Sequence, residues 1–268
     1  MMVSRWLGAP RIELAACGST NDEAARLARM GAHHGTVVIA ETQRAGRGRE
    51  GRTWVSPPGR GLYLSAVLRP RVPLADVPPM TLAIGIGVCD AIRGAGARAA
   101  LKWPNDVLVG ERKISGVLVE AQSQGAKLES VIVGIGVNLT THLPGEAPPE
   151  VLARATSLEA ATGAVVDRAA FIDALLAHVE HWIDLYSAAG LPAVIPAWTA
   201  RMAPGLVARA TVDRAPIVGV VHGLAEDGAL VLRDAAGTLH RVRSGDVETL
   251  TASAAVAALA AGSAQPPC

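Results

Sequence analysis

The hydrophobic positions along the first half of the chain predict short strands with helices between them. Residues 11–17 (RIELAAC) and 35–40 (GTVVIA) favour strands, and the segment Thr20 to Met30 favours a helix that stops at Gly31. Further strands are predicted at three apolar runs bounded by turn residues, GLYLSAVL, KISGVLVEA and ESVIVGIGV. Strands and helices do not alternate regularly, so this mixed α/β pattern favours a largely antiparallel sheet with helices on one side over a doubly wound parallel sheet.

The helical patterns in the middle of the chain are those of core elements. The run MTLAIGIGVCDAI predicts a buried helix over about 80–94, with Cys89 as a small core residue, because it is shorter than the roughly 18 apolar residues of a membrane span. From Arg168 to Tyr186, apolar residues recur at helical spacing and form one stripe, which packing alone explains. A shorter helix is predicted near VIPAWTARM.

After the sequence APG the pattern changes to brief β segments. Four or five short strands are expected within residues 206–247, which predicts a small barrel. The expected organisation is therefore a first domain over 1–203, a second over 204–250 and an Ala-rich, low-complexity, loosely ordered tail over 251–268.

Composition narrows the functional classes. Lys and Arg number 25 against 24 Asp and Glu, a net charge of +1, so any basic patch is local and a bulk nucleic-acid binder is disfavoured. The 3 cysteines are odd in number and far apart in sequence, which argues against a secreted disulfide framework. We therefore expect a cytoplasmic protein.

The stretch RAGRGREGRTW, residues 44–54, carries the first chemical signal. Its glycines let the backbone approach a ligand, and its arginines suit carboxylate or phosphate, so an anionic ligand is predicted. The spacing also fits a P-loop with arginine in place of lysine, but ETQ before it and WVSPPG after it supply neither the strand nor the helix that a P-loop needs. A solvated basic loop or an RNA-binding segment is the alternative.

The segment LKWPNDVLVGERKISGVLVE adds a second signal. Lys102 and Lys113 flank Asn105 and Asp106, and Pro104 favours a turn there. Lysine suits a developing phosphate charge and a carboxylate can hold Mg²⁺, although an ordinary Asn-Asp turn with surface lysines is the alternative.

Two weaker polar motifs could each have a purely structural role. The residues STN at 19–21 could cap the helix that follows, and Asn138 at the end of GIGVNL could read a base edge or close a turn.

Taken in order, the motifs resemble those of biotin protein ligases. They are STN, ETQRAGRGREGRTW, KWPNDVLV with Lys113 and Gly116 behind it, GIGVNL, ATSL (155–158) and SGDV (244–247). The resemblance spans roughly residues 11–250, and the pairing of GRGR-x-GR-x-W with KWPND is its most specific part. It implies a class II aminoacyl-tRNA synthetase-like mixed α/β sheet with helices, followed by a small C-terminal SH3-like β-barrel.

The resemblance also implies an activity and its partners. Biotin would be activated with ATP to biotinyl-5'-AMP, with release of pyrophosphate, and then transferred to a lysine of the biotin carboxyl carrier protein of acetyl-CoA carboxylase or a related carboxylase. Mg²⁺ is expected with ATP, its ligands being unidentified. No nucleic-acid or membrane partner is expected, and the chain is expected to be a monomer or homodimer.

Matched position by position, the resemblance assigns a biotin site. Residues expected to contact biotin or fold over the intermediate are Ser19, Thr20, Asn21, Gln43, Arg47, Gly48, Arg49, Lys113 and Gly116. Among them Lys113 is the strongest catalytic candidate, because it would bridge the biotin carboxylate and the α-phosphate.

The resemblance assigns the nucleotide site in the same way. Trp54 would pack by the adenine and Asn138 would read it, while Lys102, Asn105 and Asp106 would order the phosphates or the metal. The catalytic candidates are therefore Lys113, Arg47, Arg49 and Asp106.

The sequence differs from the family pattern at two places, and two alternative functions compete with the ligase function. Few residues precede STN, so we expect no winged helix and no repressor function. Glu50 stands where a basic residue is common in the family.

The first alternative is a lipoate–protein ligase, which shares the fold and the adenylation step. The motifs GRGR and KWPND, and the absence of RRxxGG, argue against it. An RNA-binding protein would need interleaved aromatic residues, and the chain has 5 Trp, 2 Tyr and 1 Phe, widely scattered.

Overall fold

The structure, a computed structural model, describes residues 3–141, 145–203, 205–212, 215–243 and 247–250. The helices are α1 (Thr20–Arg29), α2 (Met80–Gly94), α3 (Pro149–Arg154), α4 (Leu158–Thr162), α5 (Arg168–Ala189) and α6 (Leu191–Thr199). The strands are β1 (Arg11–Leu14), β2 (Val37–Ala40), β3 (Gly61–Leu68), β4 (Ala99–Lys102), β5 (Asp106–Val109), β6 (Arg112–Gln124), β7 (Lys127–Asn138), β8 (Val207–Val212), β9 (Ala215–Leu224), β10 (Leu230–Arg233), β11 (Leu239–Val242) and β12 (Glu248–Thr249). The predicted tail and most of SGDV lie outside the described residues.

The first seven strands form one mixed sheet in the order β1-β2-β3-β7-β6-β5-β4. Only the β1–β2 pair is parallel among these neighbours, so the predicted largely antiparallel sheet is confirmed. The KWPND turn joins β4 to β5, but Asp106 already begins β5, opposite Lys102, because the apolar run after it continues as a strand.

Helices cover both faces of this sheet, so the expectation of helices on one side was wrong. Strand β3 is buried at all eight positions, which requires cover on each face because side chains alternate. Helices α2 and α5 pack with Leu62 and Leu64 in the main core. Helix α1 packs with Val38, Val67 and Ile132 on the opposite face.

Helices α2 and α5 form the centre of the main core. A Cβ at Gly87 of α2 would lie 2.8 Å from Val179 Cα of α5, so glycine allows the close approach of the two backbones. By length and composition the segment Leu74–Gly94 could cross a membrane, yet 67% of its most apolar stretch is buried in the protein. The predicted core helix is therefore confirmed, with Cys89 fully buried in it.

The last five strands form a small antiparallel sheet in the order β11-β10-β9-β8-β12, which confirms the predicted C-terminal β unit. It lies against the end of β4, because Trp103 Nε1 donates a 3.0 Å hydrogen bond to the carbonyl of Gly228. Arg201, just before this sheet, is held by two hydrogen bonds of 2.6 and 3.0 Å to Asp90 of α2. The domain boundary at 203/204 stays a prediction.

A buried carboxylate anchors the N-terminal segment to α5. Glu180 is 3% exposed and accepts hydrogen bonds of 2.8–2.9 Å from the backbone amides of Arg5, Trp6 and Leu7. Burial by itself raises the pKa of this carboxyl group, but those amides and the Ser4 hydroxyl outweigh burial and lower the pKa to about 2. The ionised form is therefore the one that the fold stabilises.

Glu180→Gln is expected to lower the free energy of unfolding by about 2–3 kcal/mol, which corresponds to roughly 5–10 °C in Tm. Because the folded pKa lies below the ordinary value of 4.5, this stability is present above pH 4.5 and is lost as the pH falls toward 2. Thermal melts from pH 7 to pH 3 measure it. The wild-type advantage over Glu180→Gln should shrink toward pH 3, whereas exposed Glu150→Gln should melt like the wild type; an unchanged Tm in Glu180→Gln contradicts the anchor.

Candidate active site

A cleft with about 940 Å³ of empty volume, open solvent included, lies on the α1 face of the large sheet. The arginine loop, the KWPND turn and strands β6 and β7 contribute to its walls, and Val247 reaches it from the C-terminal unit. The predicted site residues that line it are Ser19, Thr20, Asn21, Gln43, Arg47, Gly48, Arg49, Trp54, Lys102, Asn105, Asp106, Lys113 and Gly116. Tertiary folding thus brings segments that are distant in sequence around one space.

The polar end of the cleft is built at the start of α1. Ser19 is the N-cap residue, yet its side chain accepts no capping hydrogen bond, so capping does not explain the STN motif. Gln43 Oε1 instead accepts from the backbone amide and the hydroxyl of Thr20, at 2.8 and 3.1 Å. Gln43 Nε2 donates in turn to Ser56 Oγ at 2.8 Å. Hydrogen bonds within the protein thus fix the positions of these polar groups.

Ser65, for which the sequence predicted no role, connects Thr20 and Asn21 at this end of the cleft. Its hydroxyl donates a 2.6 Å hydrogen bond to Asn21 Oδ1 and lies 2.7 Å from Thr20 Oγ1. Ser65 is fully buried in β3. A serine hydroxyl within the apolar run GLYLSAVL was the signal that could have found it, because a buried polar group needs a partner.

Glycines on β6 and β7 form the floor of the cleft. A Cβ at Gly134 would lie 2.3 Å from Asn21 Oδ1, and one at Gly136 would lie 2.4 Å from Trp54 Cε2. Gly116 pairs with Gly136 across the two strands, and its Cβ would lie 3.2 Å from Trp54 Cζ3. Gly134 and Gly136 were not assigned from the sequence, although glycines two residues apart on a strand share one face.

Lys113 and three arginines of the loop lie close to carboxylates of the protein itself. Lys113 Nζ lies 2.6 Å from Asp106 Oδ1 and 5.2 Å from the centre of the Trp54 ring. Arg47 donates a 2.7 Å hydrogen bond to Asp22. Carboxylates of the protein itself thus compensate the positive charge of the cleft.

Glu50 supplies the counter-charge within the loop itself. It lies 3.9 Å from an Arg49 nitrogen and 3.5 Å from an Arg52 nitrogen, and its φ of 56° is left-handed. A 3-10 turn over Arg49–Gly51 follows Gly48, and the next element is strand β3, so the rejection of a P-loop is confirmed.

Asn138 is not among the residues that line the cleft. It is 5% exposed, and its Nδ2 donates a 3.0 Å hydrogen bond to the carbonyl of Thr156, which ties the end of β7 to the segment before α4. The turn-closing alternative describes this contact, and a role in reading adenine stays a prediction.

Comparison with known proteins gives a consistent result. Residues 17–138 match the biotin/lipoate A/B protein ligase family, and residues 209–249 match the biotin protein ligase C-terminal domain. The bifunctional ligase/repressor BirA of Bacillus subtilis is 35% identical over 232 residues, which are 86% of this chain and 71% of that protein. The biotin–[acetyl-CoA-carboxylase] ligase of Paracoccus denitrificans is 36% identical over 234 residues, 84% of this chain and 94% of that protein.

A solved structure is also similar over most of the chain. The biotin protein ligase of Aquifex aeolicus, in complex with biotin and ATP, superposes with a TM-score of 0.75 at 29% identity. The superposition covers 90% of this chain and 98% of that one.

Proposed function

Because the chain belongs to the biotin protein ligase family, we propose that this ligase joins biotin to ATP as biotinyl-5'-AMP and then transfers biotin to a lysine of a carboxyl carrier protein. The observation that carries the proposal is the cleft, where a pre-ordered polar end lies beside a cluster of cations. A ligand with a polar ring at one end and a carboxylate at the other matches this arrangement.

In the first step an oxygen of the biotin carboxylate attacks the α-phosphorus of ATP, and the bond to pyrophosphate breaks. Two anions must approach each other, so the step needs fixed positive charge at the point of attack. Lys113 would offset part of the negative charge at the point of attack, and Arg47 and Arg49 would add positive charge from the loop. Each would exchange an internal carboxylate for the substrate.

In the second step the carrier lysine attacks the acyl carbon, AMP leaves and the amine loses a proton. The mixed anhydride must survive until the carrier docks, so water has to be kept out. The glycine-rich loop over 44–54 is suited to close on the loaded site. The name of the Paracoccus relative supports acetyl-CoA carboxylase as the source of the carrier.

Mg²⁺ would arrive with ATP. In the described parts of the chain no group of three or more His, Cys, Asp or Glu residues could hold a metal by itself. Mg²⁺ commonly uses one or two carboxylates together with substrate phosphates, and Asp106, beside Asn105 on the cleft wall, fits that role. The ion would neutralise phosphate charge, while Lys113 remains available for the carboxylate.

The test is ATP–pyrophosphate exchange by the purified protein with Mg²⁺ and biotin, lipoate or no added acid. Exchange with biotin alone is the expected result. Exchange with lipoate would favour the lipoate ligase alternative, because the family that matches residues 17–138 includes both biotin and lipoate ligases. No exchange with either acid contradicts the proposed first step.

Gly134→Ala is expected to weaken biotin binding at least tenfold. The added Cβ would lie 2.3 Å from Asn21 Oδ1, so Asn21 has to leave its place at the polar end. Calorimetric titration with biotin measures the loss. The control is Gly94→Ala at the end of α2, where a Cβ meets nothing within 4 Å. Wild-type affinity in Gly134→Ala would contradict the proposed position of the head group.

Lack of a repressor role and a cytoplasmic location stay predictions. A gel-shift assay with genomic DNA fragments from around biotin-related genes, with and without biotin and ATP, tests the first. A specific shifted band would contradict it.

A further inference from the structure

Glu120 stands where the polar end of the cleft meets the arginine loop. Its Oε2 accepts a 2.6 Å hydrogen bond from Asn21 Nδ2 and lies 3.5 Å from an Arg47 terminal nitrogen. Glu120 lies on β6 opposite Ile132 and is not among the cleft-lining residues. Resting on the function proposed above, we propose that Glu120 is a positioning residue for biotin recognition, which sets Asn21 and Arg47 together.

The first part of this role is the orientation of the Asn21 amide. An asparagine side chain can exchange its oxygen and nitrogen by a half-turn, but an ionised carboxylate only accepts hydrogen bonds. Glu120 therefore selects Nδ2, and Oδ1 faces the Ser65 hydroxyl and Gly134. Glu120, which does not itself line the cleft, thus sets which atom of Asn21 accepts hydrogen bonds at the polar end.

The second part is the position of Arg47. One terminal nitrogen donates to Asp22 at the start of α1, and the other lies near Glu120 on β6, so two carboxylates hold the guanidinium at the mouth of the cleft. Charge-assisted contacts of this kind are stronger than neutral ones. Because Asn21 and Arg47 share Glu120, a ligand that engages Asn21 acts on the arginine loop through the same carboxylate.

The test compares Glu120→Gln with the wild type in calorimetric biotin binding and in pyrophosphate exchange. Glutamine keeps the shape but loses the charge and can present its NH₂ to Asn21, so biotin affinity should fall about tenfold. The KM for ATP should change less than about twofold, and Tm should stay near that of the wild type. The matched control is Glu129→Gln, exposed on neighbouring β7, which should bind like the wild type.

Because Glu120 acts in part through Asn21, adding Glu120→Gln to Asn21→Ala should cost less biotin affinity than the roughly tenfold that Glu120→Gln costs alone, and the remainder is its effect through Arg47. Unchanged affinity in Glu120→Gln, equal rises of KM for biotin and ATP, or fully additive losses in the double variant would each overturn the assignment. Failure of the wild type itself to bind biotin would instead overturn the proposed function, and this role with it.

Discussion

Lys113→Ala is expected to reduce biotin-dependent pyrophosphate exchange by a factor of about 10² to 10⁴, since positioned charge at a reacting phosphate commonly contributes that much. The structure adds a second reason. Lys113 is the ion-pair partner of Asp106 at 2.6 Å, so its loss also leaves a bare carboxylate facing two anionic reactants.

That second contribution can be separated by mutation. If this repulsion outweighs the role of Asp106 in holding Mg²⁺, Lys113→Ala combined with Asp106→Asn should recover part of the loss; if the carboxylate is needed for Mg²⁺, the double variant should exchange pyrophosphate no faster than Lys113→Ala. The matched control is Lys127→Ala, exposed at the start of β7. A Lys113→Ala protein that melts like the wild type and exchanges pyrophosphate at the wild-type rate would remove Lys113 from the proposed mechanism.

Arg49→Gly is expected to release the activated intermediate and to label bystander proteins at least tenfold more than the wild type does. Arg49 lines the cleft from the 3-10 turn of the loop, and its side chain is 34% exposed. Arg49 thus lies at the cleft in a loop and not in a strand of the sheet. Without its guanidinium the loop has one fewer charge to hold the adenylate, so dissociation should quicken while activation continues.

The assay incubates the enzyme with biotin, ATP and an unrelated lysine-rich protein and measures the attached biotin. Arg71→Gly, an exposed loop substitution of the same type, should label no more than the wild type. Labelling confined to the natural carrier in Arg49→Gly would refute a retaining role for this arginine.

The local parts of the fold could be read from the sequence because local pattern governs them. The predicted helix Thr20 to Met30 is observed as Thr20–Arg29, and GLYLSAVL forms β3 at its predicted ends. The rejection of a P-loop is confirmed for the same reason, since the residues after the loop form no helix and the next element is strand β3. The motifs also identified most of the cleft-lining residues. The glycines and arginines that suit an anionic ligand lie next to one another in one loop, so the sequence displays them together.

What sequence alone determined is therefore most of the longer helices and strands, the loop chemistry and the family, all carried by residues near one another in the chain. Tertiary structure alone decided that helices cover both faces of the sheet and that Ser65 and Glu120 support the polar end. Asn21 and Glu120 lie 99 positions apart, and Asn21 and Ser65 lie 44 apart. No periodicity connects positions so distant; only the pairing of β3, β6 and β7 beneath α1 brings a carboxylate and a hydroxyl to one amide.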